Sequence, residues 1–185
     1  MIRRLTGRVT AFCNDGETRS FAFSAPNLVV DQSADAQARM ADRFSNFSVS
    51  MAYFEFGGSG FDEPAPEDTV QSVVAAAVSD RDILRCPIAV PPGYSSSDSS
   101  RFGANMLSFM ATTSTARPIS GSRKGFVSGT DFADGSMVGG ACLVGSSGSR
   151  DSDLLFARIR FPDPVEKVAG MEIDILWEIT FNPAD

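Results

Sequence analysis

Met171 to Phe181, MEIDILWEITF, places Met171, Ile173, Ile175, Trp177, Ile179 and Phe181 on one face of an extended chain and Glu172, Asp174, Glu178 and Thr180 on the other. The alternation has period two, only Leu176 breaks it, and it reads as a strand with one face buried. At about 3.3 Å per residue the run reaches roughly 36 Å, beyond the usual strand of five or six residues, so it must cross a whole sheet. A β protein is therefore expected.

The rest of the chain supplies further strands and the turns between them. Leu5, Gly7, Val9 and Ala11 alternate with Thr6, Arg8 and Thr10, the run stops at Asn14-Asp15-Gly16, and Phe21 and Phe23 resume it. This predicts a first hairpin with its turn at Asp15-Gly16. From Ser33 to Phe44, Ala36, Met40 and Phe44 recur every four residues behind a serine able to cap, which predicts a short helix lying on the sheet. FSVSMAYFEF, Phe47 to Phe56, is a second strand, with Phe47, Val49, Met51 and Tyr53 on one side; Gly57 to Gly60 ends it, and an acidic, proline-bearing loop runs on to Thr69. Val70 to Val78 fits helix or strand, and the proline and acidic residues before it favour helix.

Ile83 to Val90 is a short strand that Pro87 confines to an edge or a bulge. A serine-rich loop follows, then strands over Phe102 to Thr113, Gly125 to Thr130 and Ser136 to Val144. Leu155 to Phe161 alternates apolar residues with Arg158 and Arg160, and Pro162 to Gly170 links it to the last strand as a C-terminal hairpin. Eight or nine short strands with one or two minor helices predict one β-rich domain over residues 1–185, an antiparallel two-sheet sandwich or jelly roll. A small β-barrel is the alternative. Trp177 is inside in either.

Charge and cysteine usage narrow the setting. A formal net charge of −7, with Lys124 and Lys167 the only lysines, opposes a nucleic-acid partner, because phosphate binding needs a concentrated basic surface. Cys13, Cys86 and Cys142 are odd in number and far apart, so they read as reduced, buried thiols. No run of about eighteen apolar residues predicts a membrane span, and the start of the chain does not read as a secretory signal. The expected place of synthesis and assembly is a reducing cytoplasm.

No constellation declares a reaction. There is no histidine to act as base, GGSGF at Gly57 to Phe61 and GSSGS at Gly145 to Ser149 lack the nucleophile-elbow spacing, and Lys124 and Lys167 sit in no Ser-Lys motif. The carboxylate pairs Asp80/Asp82, Asp131/Asp134, Asp151/Asp153 and Glu172/Asp174 read as turn and surface residues. Neither Gly57 to Gly60 nor Gly139-Gly140 has the strand before and helix after that a phosphate cradle needs. The catalytic, cofactor and metal assignments are all empty. What stands out is the end of the second strand, where Phe54 and Phe56 oppose Met51 and Tyr53. Apolar groups on both faces make that end central in the fold or covered by another chain. Phe54, Phe56 and Phe61 are the candidate assembly contact.

Two stretches, GSRKGFVSGTDFADGSMVGG and PDPVEKVAGMEIDILWEITF, together with the acidic, Ser/Gly-rich and lysine-poor texture, resemble bacteriophage virion structural proteins. The resemblance is one of style and covers the second half of the chain best. It implies a symmetric homo-oligomer on a capsid or in a neck or tail, with copies of itself and other virion proteins as partners and no cofactor, assembled in the host cytoplasm. A carbohydrate-binding or receptor-binding module is the alternative, and Tyr94 is its only Tyr or Trp in an evident loop.

Overall fold

The computed structural model describes residues 5–56, 63–76, 83–89, 106–115, 117–118 and 135–181. Within them the chain forms β1 (Leu5–Asn14), β2 (Arg19–Val29), α1 (Ser33–Ala41), β3 (Ser48–Phe56), α2 (Val70–Ala76), β4 (Ile83–Pro87), β5 (Met106–Thr112), β6 (Arg117–Pro118), β7 (Ser136–Ser146), β8 (Leu154–Lys167) and β9 (Glu172–Phe181). The strands form one sheet in the order β5-β9-β1-β2-β8-β7-β3-β4-β6, and every pairing is antiparallel. Just past β4, Ala89 exchanges two backbone hydrogen bonds with Met110 of β5, at 2.7 and 3.0 Å. That contact brings the two ends of the sheet together. The fold is thus an eight-stranded barrel, nearly closed, with the two-residue β6 beside β4. The expected two-sheet sandwich is not what forms; the barrel alternative is.

One further expectation fails for a topological reason. β8 and β9 do not make a C-terminal hairpin, because the β1–β2 hairpin lies between them: β9 pairs with β1 and β5, and β8 with β7 and β2. The stretch expected as a link, from Pro162 onward, continues β8 to Lys167. Its prolines are tolerated because β2 and β8 pair only at Leu28–Arg158 and Val29–Ala157, so beyond that point β8 has no ladder partner on that side among the described residues, and because Pro162 and Pro164 fall in the register shift between the Gly140–Arg160 and Val138–Val165 pairs with β7. The rings of Phe23 and Phe161, 4.7 Å apart, fill the seam where the strands diverge.

The first turn forms where expected. Asp15 accepts hydrogen bonds from the backbone N–H groups of Glu17 and Thr18 and from the Thr18 hydroxyl, and Gly16 takes φ +90. Helix α1 also forms, but Gln32 rather than Ser33 is its N-cap, without a side-chain cap bond, and the helix stops at Ala41. Ser33 is buried.

β3 changes face part-way. The register shift between Val49 and Met51 makes Ser50 a bulge, so Phe47 and Val49 pack with Ala52, Phe54 and Phe56 inside the barrel, while Met51 and Tyr53 face outward. β7 is light in side chains because its neighbours occupy the space. A Cβ at Gly145 would lie 2.5 Å from the Phe47 ring, and one at Gly140 would lie 2.9 Å from the Ile159 carbonyl oxygen. The interior is filled by Val9, Phe54, Leu143, Phe161, Ile175 and Trp177 among others. A second, smaller apolar cluster lies on the outer face of β3, β7 and β8, under α2.

Phe54 is fully buried in that interior. Phe54→Ala is expected to cost about 3–5 kcal/mol in urea unfolding, the range for emptying a large core site. A loss under about 1 kcal/mol would contradict the packing described.

Candidate functional site

The chemistry-bearing side chains gather on the outer face of the wall made by β4, β3, β7 and β8. Alternation along β3 turns Tyr53 and Glu55 outward while Phe54 and Phe56 fill the barrel. On the neighbouring strands Arg85, Cys142 and Arg158 stand beside them, since Tyr53 pairs with both Arg85 and Cys142, and Cys142 with Arg158. The strap of residues 63–76, which contains α2, and the 3-10 turn at Arg150–Ser152 cover this face.

Two ionic clusters result. In the first, Arg158 is 5% exposed and donates Nε and Nη2 to the two oxygens of Glu55, at 3.0 and 2.7 Å, and Nη1 to Asp68 of the strap at 2.9 Å. The Cys142 thiol donates to Glu55 Oε1 at 3.1 Å. Burial alone would lower the Arg158 pKa, but the Glu55 hydrogen bonds and charge outweigh it and hold the guanidinium above its ordinary value. Burial, then the Glu55 charge, pushes Cys142 up. In the second, Asp153 is fully enclosed at 1% exposure; it accepts the Tyr53 hydroxyl at 2.6 Å and Arg85 through Nε and Nη2 at 2.7 and 3.0 Å. Arg85 Nη2 also donates to the Ser146 hydroxyl at 3.2 Å. Burial, then the bond to Asp153, raises the Tyr53 pKa.

These positions correct several expectations. Asp153 is not a surface residue of a turn, although its neighbour Asp151 is exposed. Asp174 is buried rather than solvated: Arg19 Nε lies 3.3 Å from its Oδ2, Asn14 donates to the same oxygen, and Arg19 itself stacks 3.9 Å from the Phe12 ring centre. Glu172 accepts the hydroxyl of Thr113. Lys167 is fully buried at the end of β8, where Nζ donates to the Val168 carbonyl at 3.3 Å. The cysteines are free, Cys86 and Cys142 buried and Cys13 half-buried.

Phe54 and Phe56 lie in the chain's own core, so the apolar groups that suggested a covering chain are covered from within. Phe61, Tyr94, Lys124, the pairs Asp80/Asp82 and Asp131/Asp134, and the glycines of 57–60 lie outside the described residues. Tyr53 and Trp177 are fully buried, so neither presents a ring to a sugar. Sequence reasoning missed Glu55, Asp68, Arg85 and Arg158. One signal was there: Glu55 sits on a strand end with apolar residues on both faces, and a carboxylate buried there needs a cation.

The arrangement ties strands, strap and turn together through charge. Each carboxylate of the two clusters is engaged by a guanidinium, which opposes both proton abstraction and nucleophilic attack. Among the described residues no group of three or more Cys, Asp or Glu side chains is placed to hold a metal ion. A cleft of about 310 Å³ lies between α2 and the 3-10 turn, lined by Val70, Gln71, Val74, Ala75, Arg150 and Asp151. No family model, curated protein or solved structure matches the chain.

What the surface does offer is exposed apolar side chains. Phe44 is 84% and Phe21 64% exposed; Met40 stands four residues before Phe44, and Phe21 meets Phe12 edge to face at 6.3 Å.

The buried acids set a sign for alkaline stability. Burial raises Cys86 from 9.0 to about 12, and Cys142 and Tyr53 are raised as well. Groups that stay protonated longer in the fold than in the unfolded chain stabilise it fully below their unfolded values, and that contribution is lost as pH rises. Urea unfolding followed from neutral pH to about pH 11 should show no loss from these groups until the unfolded cysteine value of 9.0 is approached, and above it a fall that nears about 1.4 kcal/mol per pH unit for each cysteine, with Tyr53 joining above 10.0. Cys86→Ala should remove one share of that slope. A flat profile would contradict the burial of these groups.

Proposed function

We propose that the chain is a non-enzymatic structural subunit that works by contact with copies of itself and with other proteins. Its setting is a bacteriophage virion, on the capsid or in the neck or tail. The observation that carries the contact reading is the outward position of Phe44 and Phe21, the two most exposed large apolar side chains among the described residues. The virion setting rests on the resemblance in texture. Two features agree with the reading. The charged side chains on the outer wall hold the fold together, and the net charge of −7 suits protein partners better than nucleic acid.

The contact surface of this proposal differs from the one read from the sequence. Phe44, three residues past the end of α1, with Met40 in the helix, and Phe21 with Phe12 on the β1–β2 hairpin, take the place of Phe54 and Phe56. Light scattering of the purified protein is expected to give a defined oligomer at low and moderate salt. Phe44→Ser and Phe21→Ser are expected to weaken it without lowering the melting temperature, since both side chains are exposed. An unaltered protein that stays monomeric at high concentration would count against self-assembly.

A further inference from the structure

The strap of residues 63–76 is organised within itself and tied to the rest of the described chain at separate points. Internally, Asp68 accepts the Ala65 N–H at 2.9 Å, Thr69 and Ser72 exchange backbone-to-side-chain bonds at 2.9 and 3.1 Å across the start of α2, and the Asp68 N–H donates to the Ala65 carbonyl. It is therefore built to move as one piece. Among the described residues its polar ties include the Asp31 N–H to the Pro66 carbonyl at 2.8 Å and the Val70 N–H to Gln32 Oε1 at 3.3 Å, both at the start of α1, and, on β8, Arg158 to Asp68 and the exposed pair Arg160–Glu63. Its apolar attachment is Val70 and Val73, buried against Tyr53, Ile83, Cys142, Val144 and Leu155, with Val74 partly so.

The charges at this place are arranged to permit release. Arg158 gives Glu55 two hydrogen bonds and Asp68 one, so one positive charge serves two carboxylates. If the strap leaves, the Arg158–Glu55 pair stays neutral and fully forked, and Asp68 passes into water. No bare charge is stranded against the barrel, which is the outcome that normally makes breaking a buried ion pair costly. The Asp153–Arg85–Tyr53 cluster takes no bond from the strap and stays intact.

We propose that residues 63–76 form a latch, closed by Asp68 on Arg158, that lifts from the outer wall while the barrel stays folded. Lifting uncovers Cys142 and the apolar face around it. Opening of this kind is a local unfolding step whose free energy lies well below that of the whole fold.

The three cysteines make the test. Cys142 lies under the latch, Cys86 points into the barrel interior, and Cys13 is half-buried elsewhere. Maleimide labelling of the folded protein, with the modified residue located by mass spectrometry, is expected to reach Cys142 before Cys86. The Cys142 rate should respond weakly to urea where the Cys86 rate responds steeply. Asp68→Asn, which keeps an oxygen for the Ala65 N–H, is expected to speed Cys142 about tenfold or more and leave Cys86 unchanged. Glu63→Gln, at an exposed pair, is expected to change neither. Equal rates and equal urea dependence for Cys142 and Cys86 would overturn the latch, since the strap would then open only when the barrel unfolds. So would a Cys142 rate that Asp68→Asn does not move.

Discussion

A guanidinium buried against the outside of a barrel wall must be neutralised where it stands, and Arg158 does this by gripping Glu55 with a two-bond fork and Asp68 with a third bond. Much of the surrounding architecture answers to that demand. β3 and β8 are both partners of β7, which sets Glu55 and Arg158 within reach of one another across it. The strap has to pass over the pair, because Asp68 supplies the third bond and Val70 and Val73 exclude water from its side. Gln32, at the start of α1, accepts the N–H groups of both Leu155 and Val70, and so ties helix, wall and strap at one atom.

The wall is covered on both sides, and this separates it from the rest of the barrel. Inside, Phe54, Leu143 and Phe161 pack with Trp177 and the isoleucines of β9; outside, Tyr53, Cys142, Val144 and Leu155 pack beneath the strap. The opposite part of the barrel is covered on one side only. There β1 and β2 face outward with Thr10, Arg8 and Ser24 in hydrogen-bond contact, and with Phe21 exposed beside Phe12. Two-sided burial thus concentrates on β3, β7 and β8, and the two most exposed phenylalanines, Phe21 and Phe44, fall on the thinly covered hairpin and just past α1. That division suits a subunit which keeps its shape through one wall and meets partners elsewhere.

Much of the fold was legible because local patterns carried it. The alternation of β9 announced a long strand with Trp177 inside, Asn14-Asp15-Gly16 announced the first turn, and the spacing of Ala36 and Met40 announced α1. Neighbour relations were not legible. Nothing local in β8 or β9 says that the β1–β2 hairpin will lie between them, and nothing in FSVSMAYFEF says that Ser50 bulges and reverses the facing of Phe47 and Val49. The charged clusters were hidden for the same reason: Arg158 and Asp174 each occupy the polar phase of an alternating strand, which reads as solvent until the strap or Arg19 is placed over it. Asp153 follows a serine-rich turn and looks like part of it, yet Tyr53 and Arg85 reach it from strands 100 and 68 residues away in sequence.

The central claim is that Glu55 and Arg158 act as one unit on which the outer wall depends, and a double-mutant cycle in urea tests it most directly. Arg158→Met, which leaves Glu55 buried without its cation, should cost about 3–5 kcal/mol, and Glu55→Leu, which leaves Arg158 its one bond to Asp68, should cost less. The double variant should cost far less than the sum, with a coupling of about 2–3 kcal/mol. Additive costs, with coupling near zero, would contradict the account.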